Sequence, residues 1–358
     1  MIGKMFRNRK TPKIIIISFI ALLFVFSAGS MVFAKSFYDG NFKRVNEPKY
    51  TGLLRYNDVS GYDRTKVDFK SGNNTLTGYI YGENNQKGLV VISHGLGYGA
   101  DDYLAQTLYF VDNGWRVFAF DNTGTYQSQG QSERGLPQSV MDLDAALTYI
   151  ENNPTLNNLP VMLFGHSWGG YAVAAVLNYS HPITAVVSIS GFNSPNELIL
   201  EDAKREIGFF SYLEYPFLAK YQSWLFGDKA KLTAVNGVNS TNTPVMIIHG
   251  TADEAIAYNG ASIISHREDI TNPNVVFKTC RVENHNGHKS LYRSDAAVNY
   301  IDKINQEYRA LSAQYNGNIP DAERAQYYAN LDKRQTSELD ANFMNEINSF
   351  FERQLVDR

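Results

Sequence analysis

The sequence predicts an α/β fold: a doubly wound, mostly parallel sheet with an inserted helical lid and an N-terminal transmembrane or signal segment. Three observations carry that expectation. Short apolar strands at 88–93, 115–120, 161–164, 183–189, 245–248 and 274–280 alternate with helical segments, which means a parallel sheet covered on both faces. One run, Val161-Met162-Leu163-Phe164, passes through Gly165-His166-Ser167-Trp168-Gly169-Gly170 into the apolar helix at 171–177. Ahead of everything lie 21 residues, 14–34, with no charge and no proline.

That first stretch would be about 31 Å long as a helix, enough to cross a bilayer core. Lys4, Arg7, Arg9, Lys10 and Lys13 precede it with no acid among them, which predicts a cytoplasmic N-terminus and an exported remainder. A signal peptide cleaved after Ala34 is the alternative to a retained anchor, although the apolar run exceeds the usual signal core. Without the five N-terminal cations, 28 Lys+Arg face 36 Asp+Glu, so the rest is acidic and carries no nucleic-acid footprint. The single cysteine, Cys280, rules out an internal disulfide framework. A chain of this size buries about three quarters of its surface and can rely on its core.

Residues 35–62 are mixed and polar and read as a juxtamembrane spacer, with the folded domain expected over 63–358. The runs at 65–70 and 75–81 flank Ser71-Gly72-Asn73-Asn74, a plausible hairpin. Pro137 opens a helix whose Val140, Met141, Leu143, Leu147 and Ile150 share one face. Two stretches break the rhythm. About fifty residues at 191–243, rich in aromatics such as Phe209, Phe210, Phe217, Tyr221 and Trp224, are too long for an ordinary connection and predict a helical lid supplying an apolar pocket. The polar stretch 303–342, followed by a last helix at 343–355, reads as a C-terminal helical extension over 303–358.

Gly-x-Ser-x-Gly between a strand and a helix has the context of a nucleophile elbow, a turn so sharp that the serine sits strained at its tip. Gly165 and Gly169 are expected where a Cβ would collide with neighbouring backbone. A serine hydroxyl is a poor nucleophile at neutral pH and needs a base, which in turn needs an orienting acid. In a doubly wound sheet both come from loops after later strands. The run at 245–248 leads to Asp253, with Glu254 as the other candidate acid; the run at 274–280 leads to His285 and His288, of which His288, behind Gly287, is preferred. The oxyanion would be held by the N–H of Trp168, at the start of the elbow helix, and by that of Leu96 in His94-Gly95-Leu96-Gly97. His94, His166 and His249 stand inside glycine motifs and are expected to brace loops. No spacing of His, Cys, Asp and Glu suggests a metal, and no phosphate-loop motif suggests a nucleotide, so no cofactor is expected.

These motifs, in this order over 66–300, resemble the α/β-hydrolase superfamily, and within it the membrane-associated or secreted bacterial esterase-like members with a helical lid. The segment from Asp121 to Ser128 is similar to the family's turn after the fourth strand, with Thr123 where an arginine is common. The resemblance implies cofactor-free hydrolysis of an ester, thioester or amide. The aromatic lid favours carboxylic esters with an apolar acyl or aryl part. A peptidase acting on small peptides is the alternative within the fold, and a non-catalytic surface binding protein the alternative outside it.

Overall fold

A computed structural model describes residues 10–356. In chain order its elements are helix α1 (Lys10–Asn41), strands β1 (Arg64–Ser71), β2 (Asn74–Tyr81) and β3 (Leu89–Ser93), α2 (Leu104–Asp112), β4 (Arg116–Phe120), α3 (Gln138–Glu151), β5 (Val161–His166), α4 (Trp168–Ala175) and β6 (Ile183–Ile189). Then come α5 (Pro195–Ile207), α6 (Ser211–Phe226), α7 (Ala234–Asn239), β7 (Val245–Gly250), β8 (Val275–Cys280), α8 (Asp295–Gln314), α9 (Asp321–Ala329), α10 (Lys333–Thr336) and α11 (Ala341–Val356).

The eight strands form one sheet in the order β1-β2-β4-β3-β5-β6-β7-β8. β1 and β2 pair antiparallel and β2 joins β4 antiparallel; the remaining neighbours are parallel. The continuous apolar runs follow from burial on both faces, because alternate side chains go to opposite sides of a strand. Val91, Phe118, Leu163 and Ile247 enter one core with Val140, Leu143 and Leu147 of α3 and most of α4. Val90, Val117, Phe164 and Ile248 enter the other, against Leu104, Leu108 and Phe110 around α2 and Ile347 and Phe351 of α11. The parallel strands thus all send their carboxyl ends to one edge, where ligands bind in such sheets.

Two expectations change. Residues 35–62 are not a spacer. Helix α1 runs unbroken through Ala34 to Asn41, and Ala34, Phe37, Tyr38 and Phe42 are buried in the first core. Beyond it, Arg44 donates to the carbonyls of Tyr126, Ser128 and Gly130, and buried Arg55 pairs with Asp102 at 2.8 Å. Tyr50 stacks on Tyr328, and Lys333 pairs with Asp58, so this stretch and the C-terminal extension clasp each other. Scattered residues on a polar background hid this, since their partners lie from 47 to 278 residues away. The basic flank Lys4, Arg7 and Arg9 lies outside the described residues; among the described residues one helix, Lys13–Asn41, is long and apolar enough to cross a membrane.

The second change concerns 191–243. It is helical, as expected, and Phe192 and Leu198 within it line the pocket below, but the aromatics from Phe209 onward do not. Phe217 and Tyr221 of α6 pack against Phe26 and Tyr38 of α1, while Phe209, Phe210, Tyr212 and Trp224 are exposed. α6 lies along α1 rather than over the site.

Candidate active site

Ser167 stands between β5 and α4 with φ 59° and ψ −117°, a conformation that glycine adopts freely and other residues only under strain. The glycines around it are there for space. A Cβ on Gly165 would lie 2.2 Å from the Gly169 carbonyl oxygen, and one on Gly169 would lie 1.9 Å from that of Ser93. Gly169→Ala is therefore expected to destabilise the fold by about 3 kcal/mol or more, since the obstacle is backbone that cannot rotate away; urea unfolding read by circular dichroism checks it.

The loops after β7 and β8 bring two side chains to this serine. His288 Nε2 lies 2.9 Å from Ser167 Oγ. His288 Nδ1 lies 2.8 and 2.9 Å from the carboxylate oxygens of buried Asp253. Asp253 also accepts from the N–H groups of Ala255 and Ile256, at 3.0 and 2.8 Å. His249 Nε2 lies 3.2 Å from its other oxygen. Burial alone would raise this carboxyl, but the hydrogen bonds from His249 and His288 outweigh it and hold Asp253 well below the usual carboxylate range. His285 is not near the serine; its Nε2 pairs with Asp295 at 2.6 Å. Glu254 accepts the His288 backbone N–H at 2.9 Å, so it anchors the loop instead of meeting the ring.

A cavity of about 340 Å³ opens on Ser167, with Leu96 and Trp168 in its wall. In the turn after β3, Gly95 N–H donates to Tyr103 Oη and Gly97 N–H to Glu133 Oε1. Leu96 sits between two tethered neighbours. The Trp168 N–H opens helix α4, where the helix dipole favours negative charge.

The sheet order, with its parallel run of six strands, matches solved structures over most of their length. An esterase of Pyrococcus furiosus, Pf2001, superposes with a TM-score of 0.52 at 19% identity, over 75% of this chain and 95% of its own. Acetyl xylan esterase 1 of a Thermoanaerobacterium species gives 0.51 at 18%, over 72% and 88%. The α/β hydrolase GrgF of a Penicillium species gives 0.50 at 16%, over 70% and 98%. A family model described as serine aminopeptidase, S33, matches residues 84–213. No curated protein sequence matches the chain.

The chain has the α/β-hydrolase fold. In this fold, His166 and His94 brace the site as expected, together with two groups that sequence reasoning passed over, Tyr103 and Glu133. Tyr103 Oη accepts from Gly95 N–H and lies 2.7 Å from His166 Nδ1, whose Nε2 lies 2.8 Å from the His288 carbonyl oxygen. Burial, with the neighbouring His288, pushes His166 well below the ordinary histidine range. Neutral His166 can then accept from the tyrosine and donate to the carbonyl, tying the turn that carries Leu96 to the loop that carries His288. His94 likewise braces: its Nδ1 lies 2.8 Å from the Gly95 carbonyl and its Nε2 accepts from Asn122 N–H. Tyr103 has no motif around it, so only the packed structure reveals it.

Glu133 is the second group passed over. It is buried, and burial pushes its carboxyl up to about 7 against the pull of the Gly97 N–H. Because its native pKa lies above the unfolded value, the folded state keeps a proton that the unfolded chain has released. Stability from this group is full below about pH 4.5 and is lost as pH rises towards 7. Asp121, also raised to about 7 by burial, acts in the same direction. Glu133→Gln keeps an acceptor for Gly97 and is expected to flatten part of the fall in Tm between pH 5 and pH 8, which paired thermal melts would show.

Proposed function

We propose that this hydrolase is a serine esterase held at a membrane by α1, cleaving carboxylic esters whose acyl or aryl part is apolar. The observation that carries the reading is the continuous contact Ser167 Oγ–His288 Nε2 and His288 Nδ1–Asp253, with Ser167 and His288 in the wall of the cavity. Ser167 Oγ attacks the acyl carbon as His288 Nε2 takes its proton. Asp253 fixes the ring and stabilises its charged form without itself becoming protonated. The oxyanion forms against the N–H groups of Leu96 and Trp168. Collapse expels the alcohol, which receives the proton from His288. Water, deprotonated by the same ring, then releases the acid and restores the serine. Leu96, Leu136, Trp168, Phe192, Leu198 and Ile256 give the pocket the apolar wall that suits a hydrocarbon or aryl group. No nucleic acid or cofactor enters the scheme.

The same chemistry on small peptides is the second reading, favoured by the match to the serine aminopeptidase family model over 84–213. Asp202 and Glu254 at the pocket offer carboxylates that would suit an ammonium group. Comparing p-nitrophenyl esters with aminoacyl p-nitroanilides, alongside labelling by a fluorophosphonate, separates the readings. Ester turnover with labelling is expected. Preferential turnover of the anilides supports the peptidase. A folded protein that neither labels nor turns over is a binding protein.

Retention of α1 is part of the proposal. Ala34, where a signal peptidase would cut, is fully buried in an unbroken helix whose far side packs on α6.

A further inference from the structure

The corner joining α5 to α6 exposes four large apolar or aromatic side chains: Phe209 (78%), Phe210 (67%), Tyr212 (54%) and Leu213 (51%). In water such a cluster is unfavourable, and clusters of this kind mark binding surfaces. What covers it follows from how α6 lies on α1. Ser30 Oγ donates to Glu214 Oε1 at 3.1 Å, and Tyr38 Oη donates to Gln222 Oε1 at 2.9 Å; both pairs are separated by 184 residues. A constant offset means that the two helices run side by side in the same direction. Phe26 meets Phe217 edge to face at 5.8 Å, on the amino-terminal side of Ser30.

The two hydrogen bonds give an offset of 184 residues and the Phe26–Phe217 contact one of 191, so that, carried back along the helices, the corner residues Phe209 and Phe210 lie level with residues 18–26. Those positions lie inside the uncharged stretch 14–34, about 12 Å or more from its domain-side end at 1.5 Å per residue. Interfacial apolar faces settle roughly 5–10 Å into the headgroup and acyl boundary. The corner is therefore at a depth where lipid is its surroundings. Buried Ser30 turns its hydroxyl to Glu214 and not to lipid. Lys204, with Nζ over the Tyr212 ring at 4.9 Å, places a cation at the same corner, where it meets lipid phosphate.

We propose that the α5–α6 corner is a bilayer-docking surface, with Phe209, Phe210 and Leu213 entering the domain-side leaflet next to α1. The inference rests on the reading of α1 as a retained anchor. It gives the inserted helices 191–243 two attachments: α1 along α6 and lipid at the corner. α5, which leads into the corner, also lines the Ser167 pocket through Leu198, Asp202 and Arg205.

Depth measurements on the full chain test it. In a Cys280→Ser background, Phe210→Cys and Trp224→Cys are labelled with a fluorophore and reconstituted into phosphatidylcholine–phosphatidylglycerol vesicles. Trp224 is exposed on α6 and lies level with residues 33–40 by the same offsets, at the domain-side end of the uncharged stretch. The label at 210 is expected to be quenched by nitroxide-bearing lipid roughly threefold more than the label at 224, and to be shielded from aqueous iodide. Vesicle-bound protein in which both labels meet iodide equally would overturn the docking surface while keeping the anchor. A chain that does not float with vesicles, or a mature protein beginning at Lys35, would overturn both. Fluorophosphonate labelling of the same variants in detergent reads the serine chemistry separately, so its failure is not confused with either.

Discussion

Ser167→Ala is expected to lower kcat for ester hydrolysis by roughly 10⁴- to 10⁶-fold and to abolish fluorophosphonate labelling, with the fold intact. On the proposed mechanism the hydroxyl is the only atom that can carry the acyl group. Its removal strands His288 Nε2, whose one contact with the reacting centre is the 2.9 Å approach to that oxygen. What survives is binding and the oxyanion donors, enough for a small residue of rate over water and no more. Because alanine keeps the Cβ, the strain at φ 59° persists and Tm should barely move. Ser167→Gly provides the complement. It is equally inactive, but the strain is relieved, so its Tm should rise above that of the wild type. Comparable labelling of wild type and Ser167→Ala would place the nucleophile elsewhere.

Asp253→Asn is expected to reduce kcat by about 10⁴-fold at neutral pH with little change in KM. The substitution is informative because asparagine retains an oxygen for the Ala255 and Ile256 N–H groups, so the loop need not collapse. The lost property is the charge facing His288 Nδ1. An amide can present its NH₂ to the ring, hold the wrong tautomer and leave Nε2 carrying the proton it should accept. It also cannot stabilise the imidazolium formed when Ser167 attacks. Activity assayed from pH 6 to 9 should stay low throughout; recovery to wild-type rates would mean that Glu254 orients the ring, against its observed hydrogen bond to the His288 backbone.

Much of the sheet was legible because β3 to β7 are buried on both faces, and such strands are written as mostly apolar runs. β6 occupies the expected residues, and β3, β4 and β8 start one residue later than expected. The elbow was legible for a different reason: Gly165 and Gly169 are demanded by backbone contacts that no side chain fits. The positions of Asp253 and His288 followed from strand ends. The choice between His285 and His288 did not, because it depends on which way a loop folds, and that is set by Glu254 gripping the His288 N–H. Tyr103 and Glu133 were invisible, since each acts through a partner far away in sequence, His166 63 residues on and Gly97 36 residues back. The packing of 35–62 was hidden for the same reason.

Helix α1 enters the domain without a hinge: Ala34, Tyr38 and Phe42 are locked in the core on the same helix or its end that begins at Lys10. With that helix anchored as proposed, the protein has a mast and not a tether. A tethered domain sweeps a hemisphere and samples solutes in three dimensions. A masted one keeps its opening at a fixed height and turns only as the helix turns in its leaflet. Its encounters are then set by lateral diffusion, so molecules that partition into the surface layer reach Ser167 ahead of those that remain in the bulk.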